Sequence, residues 1–180
     1  MFWITFLTMS CYIVSGYQPL KYLDLTKYDG FWYEVYKDKL DDTFQLNGSC
    51  VTANYSIIDN KVGIVNSEIY PNGSIGIITG YAFYEDDNTG GELSVVLDGV
   101  NEIAPYWVVK LGPVIDNYYD YSVVSDDKKL SLFVLARDIT RFFNNYDEEV
   151  LTFLQDEGFT MKFNKPLITN QTYCDYTYRD

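Results

Sequence analysis

From residue 30 onward the chain alternates short apolar or aromatic stretches with clusters of turn residues, at a spacing that suits strands and leaves little room for helices. Gly30–Tyr36 is the first stretch, and Val51–Ile58 the second, ended by Asp59-Asn60. Lys61–Tyr70 follows, and Pro71-Asn72-Gly73 is a hairpin signal, because Asn-Gly supplies the left-handed conformations a tight turn needs. Ser74–Tyr84 runs into the acidic Glu85-Asp86-Asp87-Asn88 and then Gly90-Gly91. Glu92–Leu97, Tyr106–Leu111, Tyr119–Val124 and Leu130–Ala136 bring the number of strands to eight, with Asp126-Asp127-Lys128-Lys129 turning the last hairpin. A series of short strands with regular turn signals reads as an all-β sandwich or barrel. Eight antiparallel strands can close around one small ligand. Periodicity does not decide between sandwich and barrel.

One helix is expected after the strands. Asn145 can cap it, Asp147, Glu148 and Glu149 fall in its first turn, and Gly158 ends it. Tyr146, Val150, Phe153 and Leu154 lie on one face, so the stripe should pack against the outside of the sheet.

The N-terminus reads as an export signal. Phe2 to Val14 is apolar or uncharged and too short for a membrane-spanning helix. Val14-Ser15-Gly16 offers small residues where a signal peptidase reads them, so residues 1–16 are taken as a signal peptide and 17–180 as one domain. A basic n-region is missing, and two other readings stay open: an uncleaved anchor, and a lipidated Cys11, against which Thr8 stands where an aliphatic residue is wanted. Cleavage leaves two cysteines, Cys50 and Cys174, and an even count in a secreted chain implies a disulfide between the second strand and the tail. The alternative is a pair of buried free thiols. In that context Asn47, Asn54, Asn72 and Asn170, each in an Asn-x-Ser/Thr sequon, are glycosylation candidates.

Charge and composition exclude several functions. With 26 acidic and 13 basic side chains the net charge is −13, which opposes binding to nucleic acid or to anionic membrane surfaces. The chain has no histidine, which removes imidazole-based triads and His-ligated zinc or haem. No Gly-rich phosphate loop or GxSxG elbow occurs. No metal, no cofactor and no catalysis are expected.

Two separated motifs identify a family resemblance. Gly30-Phe31-Trp32 opens the first strand, and Leu135-Ala136-Arg137 ends the last. This pairing resembles the lipocalins. Leu25-Thr26-Lys27-Tyr28-Asp29-Gly30-Phe31-Trp32-Tyr33-Glu34-Val35 is similar to the opening of their apolipoprotein D and bacterial-lipocalin branch. Cys50-Val51-Thr52-Ala53-Asn54-Tyr55-Ser56, Val65-Asn66, Pro105-Tyr106-Trp107-Val108, Gly158-Phe159 and Cys174 follow in the same order. Asp116-Asn117-Tyr118 stands where the family has Thr-Asp-Tyr, a departure confined to a loop at the closed end.

The resemblance implies an eight-stranded antiparallel up-and-down β-barrel with one C-terminal helix outside. It also implies that Gly30, Trp32, Glu34 and Arg137 are structural residues of the barrel base, with Arg137 across the indole face of Trp32, a cation–π contact. Strand alternation then assigns inward faces. Trp32 inward carries Glu34 and Tyr36 with it. Cys50 outward turns Thr52, Asn54 and Ser56 outward and Val51, Ala53, Tyr55 and Ile57 inward. Arg137 inward brings Leu135 and Phe133. The expected ligand-binding set is therefore Tyr55 and Phe133 from alternation, with Tyr106, Tyr121 and Asn66 implied by the resemblance. The implied function is a secreted carrier of a small hydrophobic ligand of fatty acid, retinoid, sterol or bilin type. The alternative is a sequestering or immune-modulating protein acting on a host mediator or cell-surface receptor.

Overall fold

The computed structural model of the chain describes residues 17–39, 48–58, 61–86 and 89–176. The expected leader and the Asn47 sequon lie outside the described residues. Eleven strands are formed by the described residues: β1 Gly30–Lys37, β2 Ser49–Ile58, β3 Lys61–Ile69, β4 Ile75–Phe83, β5 Glu92–Leu97, β6 Ala104–Leu111, β7 Val114–Ile115, β8 Tyr118–Tyr119, β9 Tyr121–Ser125, β10 Leu132–Ala136 and β11 Leu167–Ile168. The large sheet runs β10-β9-β6-β5-β4-β3-β2-β1-β11, and β10 also pairs with β1. The sheet therefore closes on itself as an eight-stranded antiparallel barrel.

The barrel ends differ because the connections differ. At one end the four-residue helix α1, Leu25–Tyr28, crosses beneath the strands, started by Asp24, whose carboxylate accepts from the Thr26 amide at 3.1 Å. The β7–β8 hairpin sits at the same end. Its central residues Asp116 and Asn117 are both left-handed, with φ of 49° and 72°. Asp and Asn tolerate that conformation, so the Asp-Asn pair makes a tight turn here. The opposite end carries the β9–β10 hairpin, where the Asp126 carboxylate accepts from the amides of Lys128, Leu130 and Ser131 at 2.7, 3.0 and 2.6 Å.

The tail completes the barrel wall. β1 pairs with β2 only over Gly30–Tyr33. Above that the two strands part, and the tail enters the wedge: Tyr36 pairs with Ile168, the Thr169 amide donates to the Val35 carbonyl at 3.0 Å, and the Cys50 amide donates to the Asn170 carbonyl at 2.8 Å. Gln171 bridges both strands, donating to the carbonyls of Glu34 (2.8 Å) and Val51 (2.7 Å). The Cys50–Cys174 disulfide, with Cα atoms 5.6 Å apart, fastens this insertion.

The helical part differs from the single helix expected. Two consecutive helices form, α2 Ile139–Asn145 and α3 Asp147–Asp156. Asn145 is the last residue of α2 and caps nothing; the cap is made earlier by Asp138, whose carboxylate accepts from the Arg141 amide. The stripe on α3 behaves as its spacing requires. Val150 and Leu154 are fully buried, and Tyr146 and Phe153 pack beside them against the outer face of β9 and β10. Among the described residues no helix is long and apolar enough to cross a membrane.

A second difference lies in β1. Its register against β10 shifts between Glu34 and Tyr36, a bulge. The extra residue breaks the two-residue period. Tyr36 therefore points outward, against Phe142 and Phe143, and its hydroxyl donates to Asp147 Oδ1 at 2.7 Å. Lys37 takes the inward position, opposite Phe133.

Candidate functional site

The barrel interior is built in layers, starting from a closed floor. Trp32 is fully buried, and its indole N–H donates to the Tyr28 carbonyl at 3.0 Å. The Arg137 guanidinium lies 3.6 Å from the Trp32 ring centroid. Its fork donates to the carbonyls of Phe31 (2.8 Å), Asp29 (2.6 Å) and Tyr119 (3.3 Å). Burial pulls the Arg137 pKa down to about 10, which still leaves it cationic at neutral pH. Gly30 is required beside it. Its φ is +93°, and a Cβ there would sit 3.3 Å from an Arg137 terminal nitrogen.

A layer of hydroxyls lies above the floor. Tyr55 and Tyr106 hydroxyls are 3.1 Å apart, Tyr106 and Tyr28 2.8 Å, and Tyr28 and Ser122 3.0 Å. The Tyr28 and Tyr55 rings stack at 5.6 Å. Burial pushes the Tyr28 phenol up to about 12 and raises those of Tyr55 and Tyr106, so the chain of hydroxyls stays neutral. The space left among Leu23, Tyr28, Tyr55, Ile64 and Tyr106 is about 10 Å³. That is room for one water at most.

Towards the mouth the inner wall opens. Register places Ala53 opposite Asn66 and Tyr55 opposite Ile64, and Ala53, Tyr55 and Ile64 belong to the interior core, so Asn66 and Glu68 also face in. Phe133, Val95 and Leu97 line the same inner wall and, like Asn66 and Glu68, are only half-buried. From β1, Glu34 and Lys37 reach this level, and Glu34 Oε1 accepts from the Thr169 hydroxyl at 2.7 Å. Burial, with Glu34 adding and Lys37 opposing, pushes the Glu68 carboxyl up to about 7.

A scan against family models matches residues 23–167 to the lipocalin-like domain. The chain belongs to the lipocalin family. It is 32% identical to apolipoprotein D of Cavia porcellus over 162 residues, covering 84% of this chain and 78% of that protein. Among solved structures it matches insecticyanin of the tobacco hornworm Manduca sexta, with a TM-score of 0.65 and 19% identity, covering 89% of this chain and 88% of that one. Apocrustacyanin C1 matches with a TM-score of 0.65 and 17% identity, covering 85% and 83%. The two structures speak for the barrel fold. Family membership carries the coarse function, the binding of a small ligand.

In this lipocalin the expected residues do not all meet. Tyr55 and Tyr106 face the interior but bond to each other. Phe133 and Asn66 line the upper wall. Tyr121, expected in the pocket, is on the outer face: it packs against Phe142 and Tyr146, and its hydroxyl donates to Glu149 Oε1 at 3.1 Å. Gly30, Trp32 and Arg137 form the floor, whereas Glu34 lies higher, at the tail wedge. Asn54, Asn72 and Asn170 are exposed. Sequence reasoning passed over Tyr28, Lys37 and Glu68. Glu68 was within reach, because it shares a strand face with Asn66 two residues away.

Proposed function

We propose that this lipocalin is a secreted carrier that takes a small, largely apolar molecule of fatty acid, retinoid, sterol or bilin type into the upper half of its barrel and releases it unchanged. The observation that carries the reading is the gradient of accessibility along the inner wall. Trp32, Tyr28 and Tyr55 at the bottom are 0%, 2% and 5% exposed. Asn66, Phe133 and Leu97, higher on the same inner surface, are half-buried. A barrel filled at one end and accessible at the other offers apolar wall to a ligand entering from the mouth, with affinity growing at roughly 25 cal/mol per Å² of apolar surface removed from water. The apolar leader and the disulfide support export. The exposed Asn54, Asn72 and Asn170 are suited to carry glycans. The floor hydroxyls are neutral and engaged with one another, which favours binding over catalysis.

Two measurements test this. Mass spectrometry of an organic extract of the secreted protein should find a bound apolar molecule. Phe133→Ala should weaken a neutral fluorescent probe about tenfold, the effect of losing roughly 50 Å² of apolar contact. Unchanged probe affinity in the folded variant would remove Phe133 from the binding wall.

A further inference from the structure

We propose that Asn66 and Glu68 form an acceptor seat at the barrel mouth that selects ligands whose polar head donates hydrogen bonds, an amine or hydroxyl on an apolar body, over carboxylates. The inference rests on the carrier reading and narrows it, away from the carboxylate-headed fatty acids and bilins and towards sterol- and retinol-like alcohols and amphiphilic amines. Asn66 and Glu68 stand two residues apart on β3, on the inner face, about 7 Å from each other along the strand. Asn66 Oδ1 and Glu68 Oε2 are both buried, and neither finds a hydrogen-bond partner among the described residues. Buried acceptors are normally satisfied, so two together on a binding wall mark where a donor is wanted.

The charges around the seat give the same preference. Glu34 and Lys37 face it from β1, and the Tyr70 hydroxyl, just past the end of β3, hydrogen-bonds the Glu68 carboxyl but leaves Oε2 free for a ligand donor. Among the described residues, a carboxylate head would meet the two carboxylates of Glu34 and Glu68 against the ammonium of Lys37. An ammonium head would meet the reverse balance and could donate to Glu68 Oε2 in a charge-assisted bond. A hydroxyl could donate to either acceptor. The floor offers a ligand head no comparable place, since its hydroxyls are bonded to one another and the space between them is about 10 Å³.

The test uses the secreted protein and three amphiphiles that share one chain: hexadecylamine, hexadecanol and hexadecanoate, each displacing the neutral probe N-phenylnaphthylamine at about pH 8. The amine should bind about tenfold more tightly than the carboxylate, with the alcohol between them. Glu68→Gln should shrink that gap to about threefold or less while keeping the alcohol, because the Gln carbonyl still accepts. Asn66→Leu should weaken the alcohol about threefold. A carboxylate that binds as tightly as the amine in the unaltered protein overturns the seat, with no variant needed. So does an amine preference that survives Glu68→Gln. If neither the probe nor any of the three chains binds, the carrier reading fails and the seat fails with it. If all three bind alike, only the seat fails.

Discussion

At the closed end Arg137 covers Trp32 and donates to the carbonyls of Phe31, Asp29 and Tyr119, while at the mouth Glu68 keeps a buried oxygen that no described residue donates to. Both groups sit inside one barrel, yet the polar groups of the floor are bonded to one another, while at the mouth Asn66 Oδ1 and Glu68 Oε2 have no donor among the described residues. A buried group that is fully bonded stabilises a unique packing, whereas an unbonded one is a cost in the free protein that a ligand can relieve. The difference separates residues that hold the fold from residues that bind, and each prediction below tests one side of that division.

The largest effect is expected at the floor. Trp32→Ala should destabilise the protein by about 3–5 kcal/mol, the usual range for emptying a buried aromatic site. Arg137→Ala should also be costly, because it removes the donor of four carbonyls, those of Phe31, Asp29, Tyr119 and, at 3.4 Å, Lys27. The two should be non-additive, with a coupling of about 2 kcal/mol for a desolvated cation–π contact. Urea unfolding of both single variants and the double variant gives the cycle. Probe affinity of the folded fraction should stay within about twofold of the unaltered protein, since the floor is remote from the mouth. Additive effects, or a large loss of affinity, would erase the distinction between floor and mouth.

A smaller effect is expected in the hydroxyl layer. Tyr106 stands between Tyr55 and Tyr28, whereas Tyr55 ends the chain of hydroxyls. Tyr106→Phe removes a hydroxyl that serves two partners and should cost about 2 kcal/mol, against about 1 kcal/mol for Tyr55→Phe. Chemical denaturation of the two variants decides. Equal losses would mean that the hydroxyls do not act as a connected series, and that the layer belongs with the loosely bonded mouth.

The same division explains what was legible in the sequence. The floor was legible because its motif residues are anchored by shape and charge: the left-handed backbone beside Arg137 favours Gly at position 30, and the flat face of Trp32 accepts the guanidinium. Alternation counted back from Arg137 also placed Leu135 and Phe133 correctly, since β10 is regular and Phe133 pairs with the interior Val124. The count failed in β1, where the bulge turns Tyr36 outward and brings Lys37 in. A period-two pattern carries no mark of an inserted residue. Tyr121 was misplaced for another reason. Both faces of β9 are buried, one by the interior and one by the helices, so apolar residues appear at every position and alternation has no contrast to read. Glu68 was legible by spacing but passed over, because a carboxylate is expected in water. The tail wedge held by Thr169 and Gln171 was not legible beyond the cysteine pairing, since its bonds to β1 and β2 go mostly to backbone groups that no side-chain pattern announces.

The smallest predicted effect concerns pH and belongs to the mouth alone. The Glu68 carboxyl titrates near 7 in the folded protein, raised from 4.5 chiefly by burial. Between those values the folded state holds a proton that the unfolded chain has lost. Folding therefore binds a proton in that window, and stability falls as pH rises through it. Glu68 is partly open to solvent, and screening reduces the effect to about 1 kcal/mol. The Glu68→Gln variant has no such proton to lose. It should match the unaltered protein at about pH 5, where Glu68 is neutral, and exceed it by about 1 kcal/mol at about pH 8. Carboxyls lowered by partners, such as Asp24 beside Lys27 and Thr26, shift stability the opposite way but are common to both proteins and cancel in the comparison. Urea midpoints at the two pH values supply the measurement. A difference between the proteins that does not change with pH would show that Glu68 is as well solvated as a surface carboxylate, and the mouth would no longer contrast with the floor at that residue.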